Sequence, residues 1–97
     1  MNKYRKDVEY YLYNRDIIKN SDNKEDKAWA AVIDHVCQRY ENSDLGKLIQ
    51  LKYDLKMPEQ RIFEQLHIEK TTYYVWRNRL INEITLQAAY MRLIKPY

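Results

Sequence analysis

A chain with a single glycine, Gly46, and two prolines, Pro58 and Pro96, carries few of the residues from which tight turns are built. Sheet proteins draw on such turns at every strand reversal, so their scarcity predicts an all-α fold of a few helices joined by short links. The 97 residues suffice for one compact domain and not two. At that length the core is modest, and pairing with a second copy is a natural source of further stability.

Apolar residues recur at helical spacing in five stretches. The first spans residues 3–19, with Tyr4, Val8, Tyr11, Leu12 and Ile18 near one face. The polar run Asn20, Ser21, Asp22, Asn23 reads as a link. The second stretch is the clearest: Trp29, Val32, Ile33, Val36, Cys37 and Tyr40 follow i, i+3, i+4, i+7, i+8, i+11. Its other side carries Glu25, Asp26, Asp34, Gln38 and Glu41. An acidic face of that kind is unsuited to phosphates, which predicts a scaffold helix. Asn42 or Ser43 caps a third helix, with Asp44 in its first turn and Leu45, Leu48, Ile49 and Leu51 along it. A short fourth helix runs from Pro58 to Leu66, with Ile62, Phe63 and Leu66 inward. The fifth starts near Lys70 and can run to Ile94, before Pro96.

Several function classes are excluded at this level. No apolar run is long enough to span a membrane, and the opening MNKYRKDVEYY lacks the apolar stretch of a signal peptide. A lone cysteine, Cys37, forms no internal disulfide, so a reducing cytoplasm is the expected location. His35 and Cys37 are two residues apart on a helix and His67 is the only other histidine, which leaves no zinc ligand set. No cofactor is expected. A glycine-rich phosphate loop and a nucleophile–base pair are both missing, so the chain does not read as an enzyme.

The net charge of +3 is unevenly spread. Residues 1–20 carry +2, residues 21–44 carry −3 and residues 45–97 carry +4. Between Lys70 and Arg79 there are three bases and no acid. A local cationic patch beside a neutral or acidic body is what phosphate contact requires.

That patch lies in MPEQRIFEQLHIEKTTYYVWRNRL, Met57 to Leu80. A short helix ends in Leu66, Ile68 plugs the bend, and a second helix opens with Thr71 and Thr72. This is the layout of a helix-turn-helix, with His67 standing where glycine is common. At 100° per residue, Tyr73, Leu80, Ile84, Ala88 and Met91 cluster inward with Trp76 at the edge. Lys70, Thr71, Tyr74, Val75, Asn78 and Arg79 point outward and are the candidate base contacts, Tyr74 being expected in solvent. Asn78 suits adenine, Arg79 guanine, and Val75 or Thr71 a thymine methyl. Lys52, Lys56, Arg61 and Arg77 are candidate contacts to the DNA backbone, joined by the amides that open the fourth helix. Residues 1–42 then form a helical scaffold and 43–97 the DNA-binding region of one compact unit. The far end of the last helix (Ile84, Leu86, Ala88, Ala89, Met91, Leu93, Ile94) is apolar on more than one side, and is expected to pack on the first two helices or on a second subunit.

The stretch LIQLKYDLKMPEQRIFEQLHIEKTTYYVWRNRLI resembles the C-terminal, region-4-like helix-turn-helix of bacterial sigma factors. It is more similar still to the RinA/ArpU-type late transcription regulators of phages and related mobile elements. Leu66 and Ile68 about the turn, Thr72, the pair Tyr73 and Tyr74, and Arg77 with Arg79 carry the likeness, which covers about the last half of the chain. The resemblance implies a sequence-specific activator of phage genes in a bacterial host cell, working on double-stranded DNA, with homodimerisation and contact to RNA polymerase left open. Two other readings stand beside it. One is the DNA-recognition part of a packaging machine, such as a small terminase subunit. The other is a helical protein-interaction factor that binds a repressor or polymerase without touching DNA.

Overall fold

The computed structural model describes residues 3–94, which form six α-helices and one π-helical turn, with no strand among them. The helices are α1 (Arg5–Tyr13), α2 (Arg15–Ile18), α3 (Lys24–Gln38), α4 (Asp44–Ile49), α5 (Glu59–Leu66) and α6 (Lys70–Tyr90), with the π turn (Gln50–Asp54) following α4. The fold is all-α, as the shortage of turn residues predicts. No helix of the described residues is long and apolar enough to cross a membrane.

The expected first helix is two. Asn14 breaks it: its side-chain amide donates to the Tyr10 carbonyl (2.7 Å), while its own carbonyl accepts from the Ile17 and Ile18 amides. A short polar side chain that bonds local backbone in this way competes with the helical ladder. Val8, Leu12 and Ile18 are buried on either side of the break. Helix α3 starts where the polar link ends, with the Asn23 side chain accepting from the amides of Glu25 and Asp26 at 2.8 and 3.1 Å. This satisfies two of the amides that a helix start leaves without partners.

Helix α4 is capped by the Ser43 hydroxyl, which accepts from the Gly46 amide at 3.1 Å. Gly46 passes so close to the end of α3 that a β-carbon there would sit 2.2 Å from the Tyr40 carbonyl oxygen. The one glycine of the chain is therefore required by a backbone approach, not by a turn conformation. Beyond α4 the ladder widens. The Leu55 amide reaches back five residues to the Gln50 carbonyl (3.0 Å), and the Met57 amide six residues to Leu51 (2.9 Å). The wider turn brings three successive residues, Leu51, Lys52 and Tyr53, into the interior. Lys56, at φ 52°, ends it.

The turn between α5 and α6 is closed by a left-handed residue, His67 (φ 55°). The Ile68 amide donates to the Phe63 carbonyl (3.1 Å) and the His67 amide to Glu64 (3.4 Å). This pair of bonds is a Schellman closure, in which glycine is the commonest left-handed residue. The same closure ends α6: Arg92 is left-handed (φ 61°), and Leu93 and Arg92 donate back to Ala88 and Ala89. Helix α6 therefore stops at Tyr90, not at Ile94, and Met91 is exposed instead of inward. Tyr73, Leu80, Ile84 and Ala88 are buried as expected, joined by Ile81 and Thr85. Helix α6 lies against both α1 and α3, and one continuous apolar cluster runs through all of these elements.

Replacing Gly46 by alanine forces the α3–α4 junction apart. The expected cost is about 1–3 kcal/mol. It should be seen as a lower midpoint of urea unfolding with an unchanged slope.

Candidate nucleic-acid interface

The outward face of α6 is set by what its inward face must bury. Tyr73, Leu80, Ile81, Ile84 and Ala88 lock the helix rotation. That rotation leaves Lys70, Thr71, Val75, Asn78 and Arg79 exposed along its first three turns. Val75 is 52 % exposed, although it is a large apolar residue. Five of the six candidate base contacts are therefore exposed along the opening turns of α6, which follow the His67 turn.

Tyr74 is the exception and is half-buried. Its ring packs edge-on against Tyr73 (5.2 Å between centroids), and its hydroxyl approaches the Glu59 carboxylate at 3.5 Å. The cations of Lys70 and Arg77 lie 5.9 and 5.3 Å from the ring centre. Tyr74 wedges α6 against the start of α5 and positions the exposed residues around it.

The expected backbone contacts divide more sharply. Arg61 is exposed on α5. Lys56 is exposed, but its ammonium donates to the Tyr13 and Tyr53 carbonyls (2.9 and 3.2 Å) and so ties the end of the π turn to α1. Lys52 and Arg77 are turned inward, contrary to the expectation that they meet DNA. Lys52 is 7 % exposed, and its ammonium sits 5.4–5.7 Å from the ring centres of Tyr13, Tyr53 and Tyr73. Burial works against its charge, but the Tyr13 and Tyr73 phenols beside it outweigh this and hold its pKa above the ordinary value. Arg77 lies between two carboxylates, with Nε 3.3 Å from Glu9 and Nη1 3.7 Å from Glu59. Lys52 reaches the same Glu59 at 4.0 Å, and the Tyr53 hydroxyl donates to Glu9 at 3.2 Å.

Two acids and two bases, from α1, the π turn, α5 and α6, thus neutralise one another under the candidate reading surface. Their pairing removes two of the four cations expected on phosphate. It also links the two helices, since Glu59 opens α5 and contacts Arg77 and Tyr74 of α6.

One further cation joins the exposed set. Tyr40 hydrogen-bonds Glu83, one turn beyond Arg79 on α6. Burial first, and then the bond to Glu83, push the Tyr40 pKa up to about 12, while Arg79 and Arg39 pull the other way. Arg39, just past the end of α3, is exposed, and its charge and that of Arg79 both act on the Tyr40 hydroxyl. Sequence reading placed that helix in the scaffold on the strength of its acidic face; the basic residue just past its end was the available signal. Among the described residues no group of three or more histidine, cysteine or acidic side chains is placed to hold a metal ion.

Over residues 8–85 the sequence matches the family described as "Protein of unknown function (DUF1492)". No curated protein and no solved structure shows significant similarity to it.

Arg77→Ala leaves Glu9 and Glu59 facing each other without their shared cation. A loss of about 2–4 kcal/mol is expected, somewhat below the range for fully buried pairs because both acids are partly open to solvent. Thermal unfolding measures it. Alkaline titration gives a second test. Burial raises the Tyr73 pKa from 10.0 to about 12, and Tyr40 is raised as far. Their contribution is intact below pH 10, where neither state ionises. It is lost as pH climbs through the folded-state values, because the unfolded chain gives up these protons first. Stability should therefore fall between pH 10 and 12, and tyrosinate absorbance should rise together with unfolding.

Proposed function

The chain belongs to the DUF1492 family, and from the arrangement of its last two helices we propose that it is a sequence-specific double-stranded DNA-binding protein that regulates transcription. One observation carries this reading. A short helix, a tight left-handed turn and a second helix are braced from behind by a neutralised charge cluster, while Thr71, Val75, Asn78 and Arg79 stand in solvent on the second helix's opening turns. A recognition helix needs this combination: a rigid rear attachment and free side chains of mixed hydrogen-bonding and apolar character at its N-terminal end.

The residues divide by chemistry. Asn78 presents the paired donor and acceptor that read adenine and Arg79 the forked donors that read guanine in the major groove, and Thr71 and Val75 meet thymine methyl groups. Lys70, Arg61 and Arg39 hold phosphates on either side and set the register. Lys52, Lys56 and Arg77 act inside the protein. The likeness to RinA/ArpU-type regulators supports activation of phage or mobile-element genes as the biological setting.

Selection from a pool of random duplexes should enrich one short sequence. Asn78→Ala should then relax the preference at one base pair, by about 1–3 kcal/mol. Arg61→Ala should weaken all duplexes alike and reduce the dependence of affinity on salt. A pool from which nothing is enriched would rule out sequence-specific regulation.

A further inference from the structure

We infer that the C-terminal end of α6 is a self-pairing surface through which two copies of the chain sit on one duplex. The inference rests on the DNA-binding reading for its setting, but the surface has its own evidence. Leu86 and Tyr90, one turn apart, are 63 % and 82 % exposed, and Met91 just after the helix is 59 % exposed. Leu86 and Tyr90 share one side of the helix, and large apolar side chains exposed together in this way mark an interaction site.

Charge points to a second copy as the occupant. Eight successive residues, Ile84 to Met91, contain no acid or base. A twofold axis brings a surface against itself, so any charge there meets its like. A neutral apolar patch avoids that repulsion, and it offers nothing to a strongly charged partner.

The helix geometry fits the same occupant. At 100° per residue, Leu86 and Tyr90 lie about 70° around the α6 axis from Thr71, Val75 and Asn78. Arg79 shares the bearing of Leu86 and Tyr90 but lies about two to three turns before them, so the reading turns and the apolar end are separated chiefly along the axis. The midpoint of the reading residues is about 13 residues from the midpoint of Leu86 and Tyr90. At the α-helical rise this is about 20 Å. Two copies joined at these ends place their reading turns about 40 Å apart if collinear, and about 35 Å apart with each helix inclined by about 30°. Successive major grooves on one side of a duplex are about 34–36 Å apart. Three side chains cover much less than the roughly 800 Å² per partner of a stable interface. The pair is therefore weak in solution and is completed on DNA, with half-sites one helical turn apart.

Two measurements test this on the full chain. In a Cys37→Ser background, Tyr90→Cys at high concentration should be captured as a covalent dimer by a short thiol-to-thiol crosslinker. Adding Leu86→Glu should suppress capture, and Tyr10→Cys, exposed on α1, should give little. On the duplex enriched from the random pool, two half-sites 10–11 base pairs apart should bind at least about tenfold more tightly than independent sites predict. Leu86→Glu should remove that gain and leave single-site affinity unchanged, and five extra base pairs between the half-sites should also remove it. Capture of Tyr90→Cys no better than of Tyr10→Cys overturns the self-pairing surface, whatever the DNA result. Half-site binding without cooperativity also overturns it, while leaving the DNA-binding reading intact. Capture in a protein that enriches no duplex supports the surface and overturns the DNA-binding reading instead.

Discussion

The pairing of Arg77 with Glu9 and Glu59 is the interaction on which the rest of the structure depends. It joins the first helix, the opening of α5 and the middle of α6 at one guanidinium, and Lys52 closes the group from the π turn. Taking such charges out of water is costly, and a pair repays the cost only when its geometry and hydrogen bonding are good. Here the Tyr53 and Tyr74 hydroxyls donate to Glu9 and Glu59 and tyrosine rings surround the Lys52 ammonium, while the buried Tyr73 hydroxyl, Arg77 Nε and one Glu59 oxygen make no hydrogen bond. The abundance of tyrosine in this chain has a physical reason at this point. A phenol offers an apolar ring to the core and a polar tip to a buried charge.

That cluster also divides the cations of the C-terminal half into two populations. Lys52 and Arg77 are used internally, and Lys56 is held on backbone carbonyls. Lys47, Arg61, Lys70, Arg79 and Arg92 are exposed, as is Arg39 at the end of α3. The paired group behind α6 balances its own charges, while the exposed acids Glu64 and Glu69 lie close to Arg61 and Lys70 along the chain. Any attraction for phosphate is then set by the exposed residues alone.

Helix α6 serves two masters along its length. Its buried stripe packs against α1 and α3, while its exposed stripe changes from polar at the N-terminal turns to apolar at the C-terminal end. Because the core locks the rotation of the helix, both parts of the exposed stripe have a fixed orientation relative to one another. The left-handed closures at His67 and Arg92 fix where the helix begins and ends. Non-glycine residues carry a steric cost of about 1 kcal/mol in that conformation, and here it is met by the hydrogen bonds and apolar contacts of each closure.

The sequence by itself determined the helical class, the position of α3, the α5–turn–α6 motif and the outward placement of Thr71, Val75, Asn78 and Arg79. These follow from the scarcity of turn residues and from periodicity, both local properties of the chain. The inward turn of Lys52 was partly legible, since it continues the i, i+3, i+4, i+7 spacing of Leu45, Leu48 and Ile49. A lysine at such a position reads as surface unless its counter-charge is known. Only the tertiary structure decided that Glu9, 68 residues before Arg77 in the chain, would be that group's partner and that Lys52 would join it through Glu59. Asn14 breaking the first helix, the π turn after α4 and the need for glycine at position 46 were settled there as well. Each depends on which backbone or charge from a distant segment comes into contact, and periodicity along a single helix carries no information about that.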